Sequence, residues 1–252
     1  MTETIQTKPP SKFQFSRILE VLLKPRQAFE NIATENNAGW QTPMLSLSIS
    51  AFLSVIVSGY LKSRAAMMGE IPLPRDWQWW TPEMQNNYMQ AQQSMQGPVF
   101  AYIIPLVGAL LGLWLGWLIL AGLLHLGSTL LGGRGSMQQA LTVTAWASLP
   151  FLVRDVLRIL FMLLAGHAIQ SPGLSGFVQN SIFFAQLLSR FDLFLIWCIV
   201  LLIIGFHVFD NLPQVKAIAN VVIVSLLLLL VQAGVGAALA SLSGLAVQRP
   251  FF

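Results

Sequence analysis

Long apolar runs separated by polar stretches dominate the chain, near residues 43–61, 99–126, 138–165, 191–209 and 218–242. About 20 consecutive apolar residues cross the hydrocarbon core of a bilayer as a helix, so each run predicts a transmembrane helix. The pattern predicts an all-α integral membrane protein with five transmembrane helices in one membrane domain over residues 42–243. Residues 1–12 are polar and predict a disordered tail, and residues 244–252 a short C-terminal one. Residues 13–41 alternate apolar and basic positions at helical spacing, an amphipathic N-terminal segment broken at Lys24-Pro25. Pro25 is placed to open a second short helix, in which Ala28, Phe29, Ile32 and Ala33 share one face. Lys12, Arg17, Lys24 and Arg26 lie on the other side. That arrangement suits a helix lying on an anionic membrane surface, or equally one packed against the protein's own spans; periodicity says which face is buried and not against what.

Within the runs, polar and small residues mark particular positions. Trp40 and Tyr60 flank the first span as interfacial anchors. The loop that follows carries the aromatic cluster Asp76-Trp77-Gln78-Trp79-Trp80, then Thr81-Pro82 as a helix cap and first-turn residue. The helix beyond it places Met84, Tyr88, Ala91 and Met95 on one stripe. In the second span Gly108, Gly112 and Gly116 form overlapping GxxxG steps, which let a neighbouring helix approach closely. The neighbour is another span of this chain or a second copy. Gly132-Gly133-Arg134-Gly135 makes a tight turn, and Ser136 with Gln139 a capping box that opens the third span. Ala233, Gly234, Gly236 and Ala237 mark a second small-residue surface in the last span.

The third span departs most from a plain apolar pattern. It holds Pro150 midway and then Arg154, Asp155 and Arg158. Arg154 and Arg158 share a helical face, and Asp155 is spaced to pair with Arg158. Ionisable groups in a spanning helix cost roughly 2.5–3.5 kcal/mol each on insertion scales, which makes them functional candidates. If the span starts at Met137, about 17 residues at about 1.5 Å each place Arg154 near the far interface, where arginines snorkel into headgroups. The cluster is therefore either a polar intramembrane site or an interfacial one.

Composition changes this picture little. The 252 residues are 55% hydrophobic and 10% charged, against about 25% charged in soluble domains, so the chain lacks the surface charge to stay in water. Five of its fourteen basic residues (Lys8, Lys12, Arg17, Lys24 and Arg26) precede the first span. This points to lipid and to a cytoplasmic N-terminus, with the C-terminus extracytoplasmic across five spans. No basic reading motif points to nucleic acid. One cysteine, Cys198, rules out an intramolecular disulfide, and His125, His167 and His207 lie in separate segments without HExxH or GxSxG patterns. Neither an enzyme nor a cofactor or metal site is expected.

Several pieces together resemble the Yip domain family, five-pass membrane proteins named for eukaryotic members that interact with Ypt/Rab GTPases. They are Leu23-Lys24-Pro25-Arg26-Gln27-Ala28-Phe29 with Ile32, Gly132 to Ala140 leading to Ser148-Leu149-Pro150, and Asp192 to Trp197 running on to Gly205 and then Lys216-Ala217. The tail before the first span is short and basic and lacks the acidic segment and DLYGP-like motif of the eukaryotic members. That departure speaks against Rab-type GTPase binding and is similar to prokaryotic members, for which the cell membrane is the expected location. The resemblance implies no catalytic residues. It agrees with a membrane-embedded adaptor or organiser that recruits protein partners, or its own copies, through glycine-rich helix faces. The alternative is an oligomeric transporter or channel that uses Arg154, Asp155 and Arg158.

Overall fold

The computed structural model describes residues 13–34, 39–69, 73–74, 77–94, 97–169, 172–178 and 181–245, the last four as backbone only. The polar tail with Lys12, and Asp76, Met95 and Arg249, lie outside these residues. The described residues form an all-helical protein: α1 Ser16–Leu23, α2 Pro25–Thr34, α3 Gln41–Met67, α4 Pro82–Ser94, α5 Ile104–Leu130, α6 Met137–Ala147, α7 Leu149–Ala165, α8 Ile182–Leu188, α9 Leu193–Phe209 and α10 Gln214–Leu245. A π turn, Val99–Ile103, leads into α5.

Local chemistry sets most of the helix ends. Ser136 Oγ accepts from the Gln139 N–H at 3.3 Å and Gln139 Oε1 accepts from the Ser136 N–H at 2.8 Å, the capping box at the start of α6. Thr81 Oγ1 accepts from the Met84 N–H at 3.3 Å ahead of α4, and Trp77, Trp80 and Tyr88 close into one aromatic cluster with centroids 5.6 Å apart. Pro150 falls in the first turn of α7, where its missing N–H breaks no helical bond. The third apolar run is accordingly two helices, with Ser148 between them.

Side-chain registers show how the long elements run. Gly59, late in α3, meets Ala101 and Tyr102 just before α5, while Ser48, early in α3, accepts from Trp114 Nε1 at 3.2 Å. Trp117 Nε1 donates to the Leu141 carbonyl at 3.0 Å, so α5 and α6 are antiparallel neighbours. Val143 faces Gly205, and Arg154 faces Asp192, so α6 with α7 runs antiparallel to α9. Asn220 Nδ2 donates to the Leu124 carbonyl at 2.9 Å and Lys216 Nζ to the Leu131 carbonyl at 2.8 Å, placing α10 antiparallel to α5. The direction thus alternates from α3 to α5, α6–α7, α9 and α10.

Three of these helices are long and apolar enough to cross a membrane: α3, the run Val99–Leu130, and α10 over Gln214–Ser241. The pair α8 and α9, bent by 60°, is a fourth if taken as one broken span. With 11 and 17 residues, neither α6 nor α7 reaches that length alone.

The core lies between α9, α6 and the N-terminal helices. Phe29 and Ile32 of α2 are buried with Val143, Trp146, Leu201, Leu202 and Phe206. The Phe29 ring meets Phe209 edge-on at 6.4 Å. The apolar face of α2 therefore packs against the protein's own helices, with Ala33 left exposed outside it. Glu20 Oε1 accepts from Asn31 Nδ2 at 2.9 Å and ties α1 to α2 as a hairpin. Trp40 is half-buried and packs edge-on against Trp114 and tilted against Trp117, at 5.8 and 5.1 Å, beside a second core cluster, because the chain enters α3 beside the middle of α5.

Candidate functional site

Arg154, Asp155 and Arg158 come together on α7 as the sequence places them, but their partners come from other helices. Asp155 Oδ1 faces Arg154 Nη2 at 3.4 Å, and its Oδ2 accepts from Ser50 Oγ on α3 at 3.0 Å. The expected pairing of Asp155 with Arg158 is replaced: the closest counter-charge to Arg158 is Asp192, at 3.6 Å. Asp192 also lies 3.6 Å from Arg154 Nη1, so one carboxylate bridges both arginines. Asp192 holds its position because its Oδ1 caps α9 by accepting from the Leu195 N–H at 2.9 Å. The Arg154 guanidinium also stacks over Phe151, 4.6 Å from the ring centroid.

The four side chains are 14–28% exposed, enclosed between α3, α7 and α9. Apolar surface brackets them. Ile49, Phe52 and Leu53 face outward on either side of Ser50, and Leu160, Phe161, Leu163 and Leu164 face outward beyond Arg158. Asp192 was legible only as the residue entering α9. The signal that could have found it is the excess of positive charge on α7, which calls for a carboxylate from elsewhere.

A second polar cluster lies at the opposite end of α9. Ser128 Oγ donates to Asp210 Oδ2, and the Arg134 N–H donates to the Asp210 carbonyl at 3.3 Å. Asp210 is buried, and that burial pushes its carboxyl above the ordinary range, opposed by the Ser128 hydrogen bond and the nearby His125. The glycines of the α5–α6 turn follow from this contact. Gly132 has φ +93°, and a Cβ at Gly133 or Gly135 would collide with Ser128 or with the Asp210 carboxylate. Among the described residues, no group of three or more His, Cys, Asp or Glu is placed to hold a metal ion.

Among the described residues, the glycine steps of α5 meet no other span. A Cβ added at Gly108, Gly112 or Gly116 finds no other atom within 4 Å, and Ile104, Val107, Leu111 and Leu115 beside them are exposed. In an apolar 18-residue stretch of Val99–Leu130 only 6% is buried within the protein, against 33% in such a stretch of α3 and 28% in one of α10. Close approach within the chain uses other glycines. At Gly59 a Cβ would sit 2.7 Å from the Tyr102 ring, at Gly205 2.5 Å from Val143 Cγ1, and at Gly236 2.9 Å from Gln186 Oε1. Of the basic residues in the N-terminal hairpin, Lys24 and Arg26 are exposed, Arg26 pairing with Glu30 at 3.1 Å, and Arg17 is half-buried.

No curated protein and no solved structure matches the chain. The family model described as Yip1 domain matches residues 19–236, which take in α2 to α9, both polar clusters and most of α10. This chain, an integral membrane protein with several apolar helices, belongs to the Yip1 domain family.

Proposed function

We propose that this Yip1-domain protein is a multi-pass membrane adaptor or organiser that receives a helix of another protein chain on the outer face of α5. The observation that carries the reading is the unfilled glycine face: among the described residues, a Cβ at Gly108, Gly112 or Gly116 would meet nothing within 4 Å. Glycine inside a helix costs about 1 kcal/mol relative to alanine, a cost that close packing of a second helix offsets. Lipid chains have no need of three glycines in register. The charged cluster supports a structural role rather than a pathway, because its side chains face each other and Ser50 and thereby join α3, α7 and α9. This favours the adaptor over the transporter or channel, and no catalytic activity is assigned.

Five spans follow if α6 with α7 crosses as one unit and α8 with α9 as another, which agrees with the alternating direction of the helices. The N-terminal hairpin, the α5–α6 turn and the α9–α10 turn then share the cytoplasmic side, and the C-terminus is extracytoplasmic. The exposed side of α1, with Leu19 and Leu23, supports contact of the hairpin with the membrane surface beside Lys24 and Arg26.

The test is photo-crosslinking in native membranes from a reactive residue at Leu111 or Leu115. A defined protein adduct, to a second copy or to a partner, that disappears with Gly112→Leu supports the reading. Adducts to lipid alone would end it.

A further inference from the structure

We propose that Asp210 is a proton-sensitive latch between the α5–α6 turn and the end of α9, closed while its carboxyl holds a proton and loosened when that proton leaves. Local geometry turns the carboxyl inward. Asp210 ends α9, its N–H donating to the Phe206 carbonyl at 3.2 Å, and Asn211 after it turns the chain with φ +50°. Asp210 is only 2% exposed as a result. From the other side, Ser128 in the last turn of α5 donates to Asp210 Oδ2, and Gly135 leaves no room for a Cβ beside Oδ1. Two backbone bonds close the turn onto the same two residues. The Gly133 N–H donates to the Ser128 carbonyl at 2.8 Å, and the Arg134 N–H to the Asp210 carbonyl at 3.3 Å.

What the carboxyl lacks is a cation. Among the described residues it forms no ion pair, and the Ser128 hydroxyl is the one side chain hydrogen-bonded to it. The charged and titratable groups of the surrounding elements are engaged elsewhere or lie at the surface. Lys216 of α10 donates to the Leu131 carbonyl at 2.8 Å, and Arg134 of the turn is exposed. Arg26 and Glu30 of α2 pair with each other at 3.1 Å. His207 of α9 bonds the Leu212 carbonyl through Nδ1 at 2.6 Å, and half-buried His125 of α5 bears on Asp210 through its charge. An ionised carboxylate here would be enclosed with one hydroxyl donor, at the C-terminal ends of α5 and α9, where helix dipoles are negative. Both conditions favour the neutral acid, and burial holds the carboxyl above its ordinary range. The neutral acid still accepts from Ser128, and the turn stays closed. Release of the proton to water leaves an enclosed charge, which opening of the turn relieves by hydration. Because the turn joins α5 to α6, pH then sets how firmly this end of α5 is fastened to α9. The latch is independent of the adaptor reading, which concerns the outer face of α5.

The test is hydrogen exchange of the Gly133 and Arg134 amides across pH in the intact protein in nanodiscs, corrected for the intrinsic effect of pH on exchange. Protection should be greatest below the ordinary carboxyl value, about 3.9. Above it, protection should fall by up to about tenfold per pH unit and level off once pH passes the folded value. Asp210→Asn keeps an acceptor for Ser128 but cannot ionise, so its protection should stay high and not vary with pH. Ser128→Ala removes a hydrogen bond that favours the ionised form, so the levelling should move to higher pH. Three results would overturn the proposal: a flat profile in the parent, a pH dependence retained in Asp210→Asn, or a profile in Ser128→Ala that does not move upward. A dependence lost in His125→Gln or His207→Gln would assign it to an imidazole and overturn it equally. Should Asp210→Asn fail to fold, the direction of the shift in Ser128→Ala decides.

Discussion

Ser50 Oγ, on α3, donates a hydrogen bond of 3.0 Å to Oδ2 of Asp155 on α7. Ser50 lies about 14 Å along the helix from Gln41 and about 25 Å from Met67, so Asp155 is fastened to the interior of a candidate span. The bond joins the charged cluster to a helix that carries no charge before Lys62.

Removal of this bond should be measurable as stability. Ser50→Ala should cost about 1 kcal/mol, and Asp155→Asn about 1–3 kcal/mol, because the arginines then lose a counter-charge in a mostly enclosed place. The double mutant should lose less than the sum, since both changes break one contact. Arg158→Leu should also destabilise, by leaving Asp192 with Arg154 alone. Melting temperatures in detergent check all four, and parental values for Asp155→Asn and Arg158→Leu would place the charges in water or headgroups.

Glycines of the two kinds should separate cleanly. Gly205→Leu should abolish folded yield, because Val143 and Phe29 already fill the space a side chain would need. Gly112→Leu should leave the melting temperature of the isolated chain near parental and instead reduce association, measured by size-exclusion light scattering or crosslinking. Loss of folded protein for Gly112→Leu would mean that the glycine face is used within the chain.

The burial of Asp210 predicts a pH dependence. Its carboxyl titrates above the ordinary value in the folded protein, so the folded state holds the proton more tightly than the unfolded one. Its contribution to stability is then fully present below the unfolded value, about 3.9, and is lost as pH rises through the folded value. Asp210→Asn should flatten this part of the stability curve, read as melting temperature against pH. The charge of His125 bears on Asp210, so His125→Gln serves as the control. An unchanged curve in Asp210→Asn would remove Asp210 as its source.

For the N-terminal hairpin, an environment-sensitive dye at Leu23 should shift to the blue in nanodiscs with anionic lipid, because that side chain is exposed on α1. A dye at Glu30, on the exposed polar side of α2, should not. Identical spectra would take the hairpin off the membrane surface.

Reporter fusions after Arg134 and Lys216 should both be cytoplasmic. The two turns are tied together by the bonds from Arg134 to Asp210 and from Lys216 to Leu131. Fusions within 85–94 and after Arg249 should be extracytoplasmic. A cytoplasmic C-terminus would show that one of the paired helix units fails to cross.

Much of the chain's local form was legible in its residues. Unbroken apolar runs must bury their backbone polar groups internally, which dictates helices. Pro25, the Ser136–Gln139 box and the glycines of the α5–α6 turn mark helix boundaries through bonds and conformations that span only a few positions. Periodicity likewise assigned Phe29 and Ile32 to a buried face. It did not say that this face meets α9 rather than lipid, because an apolar side chain gains from either. Nor could spacing tell the glycines that meet neighbours, Gly59 and Gly205, from those left open, Gly108 and Gly112. All are small residues in apolar helices, and only the positions of other helices distinguish them. The charged cluster divides in the same way. Three of its members are neighbours in sequence, but Ser50 and Asp192 reach it from other elements, since electrostatic pairing acts through space and the fold alone decides which charges meet.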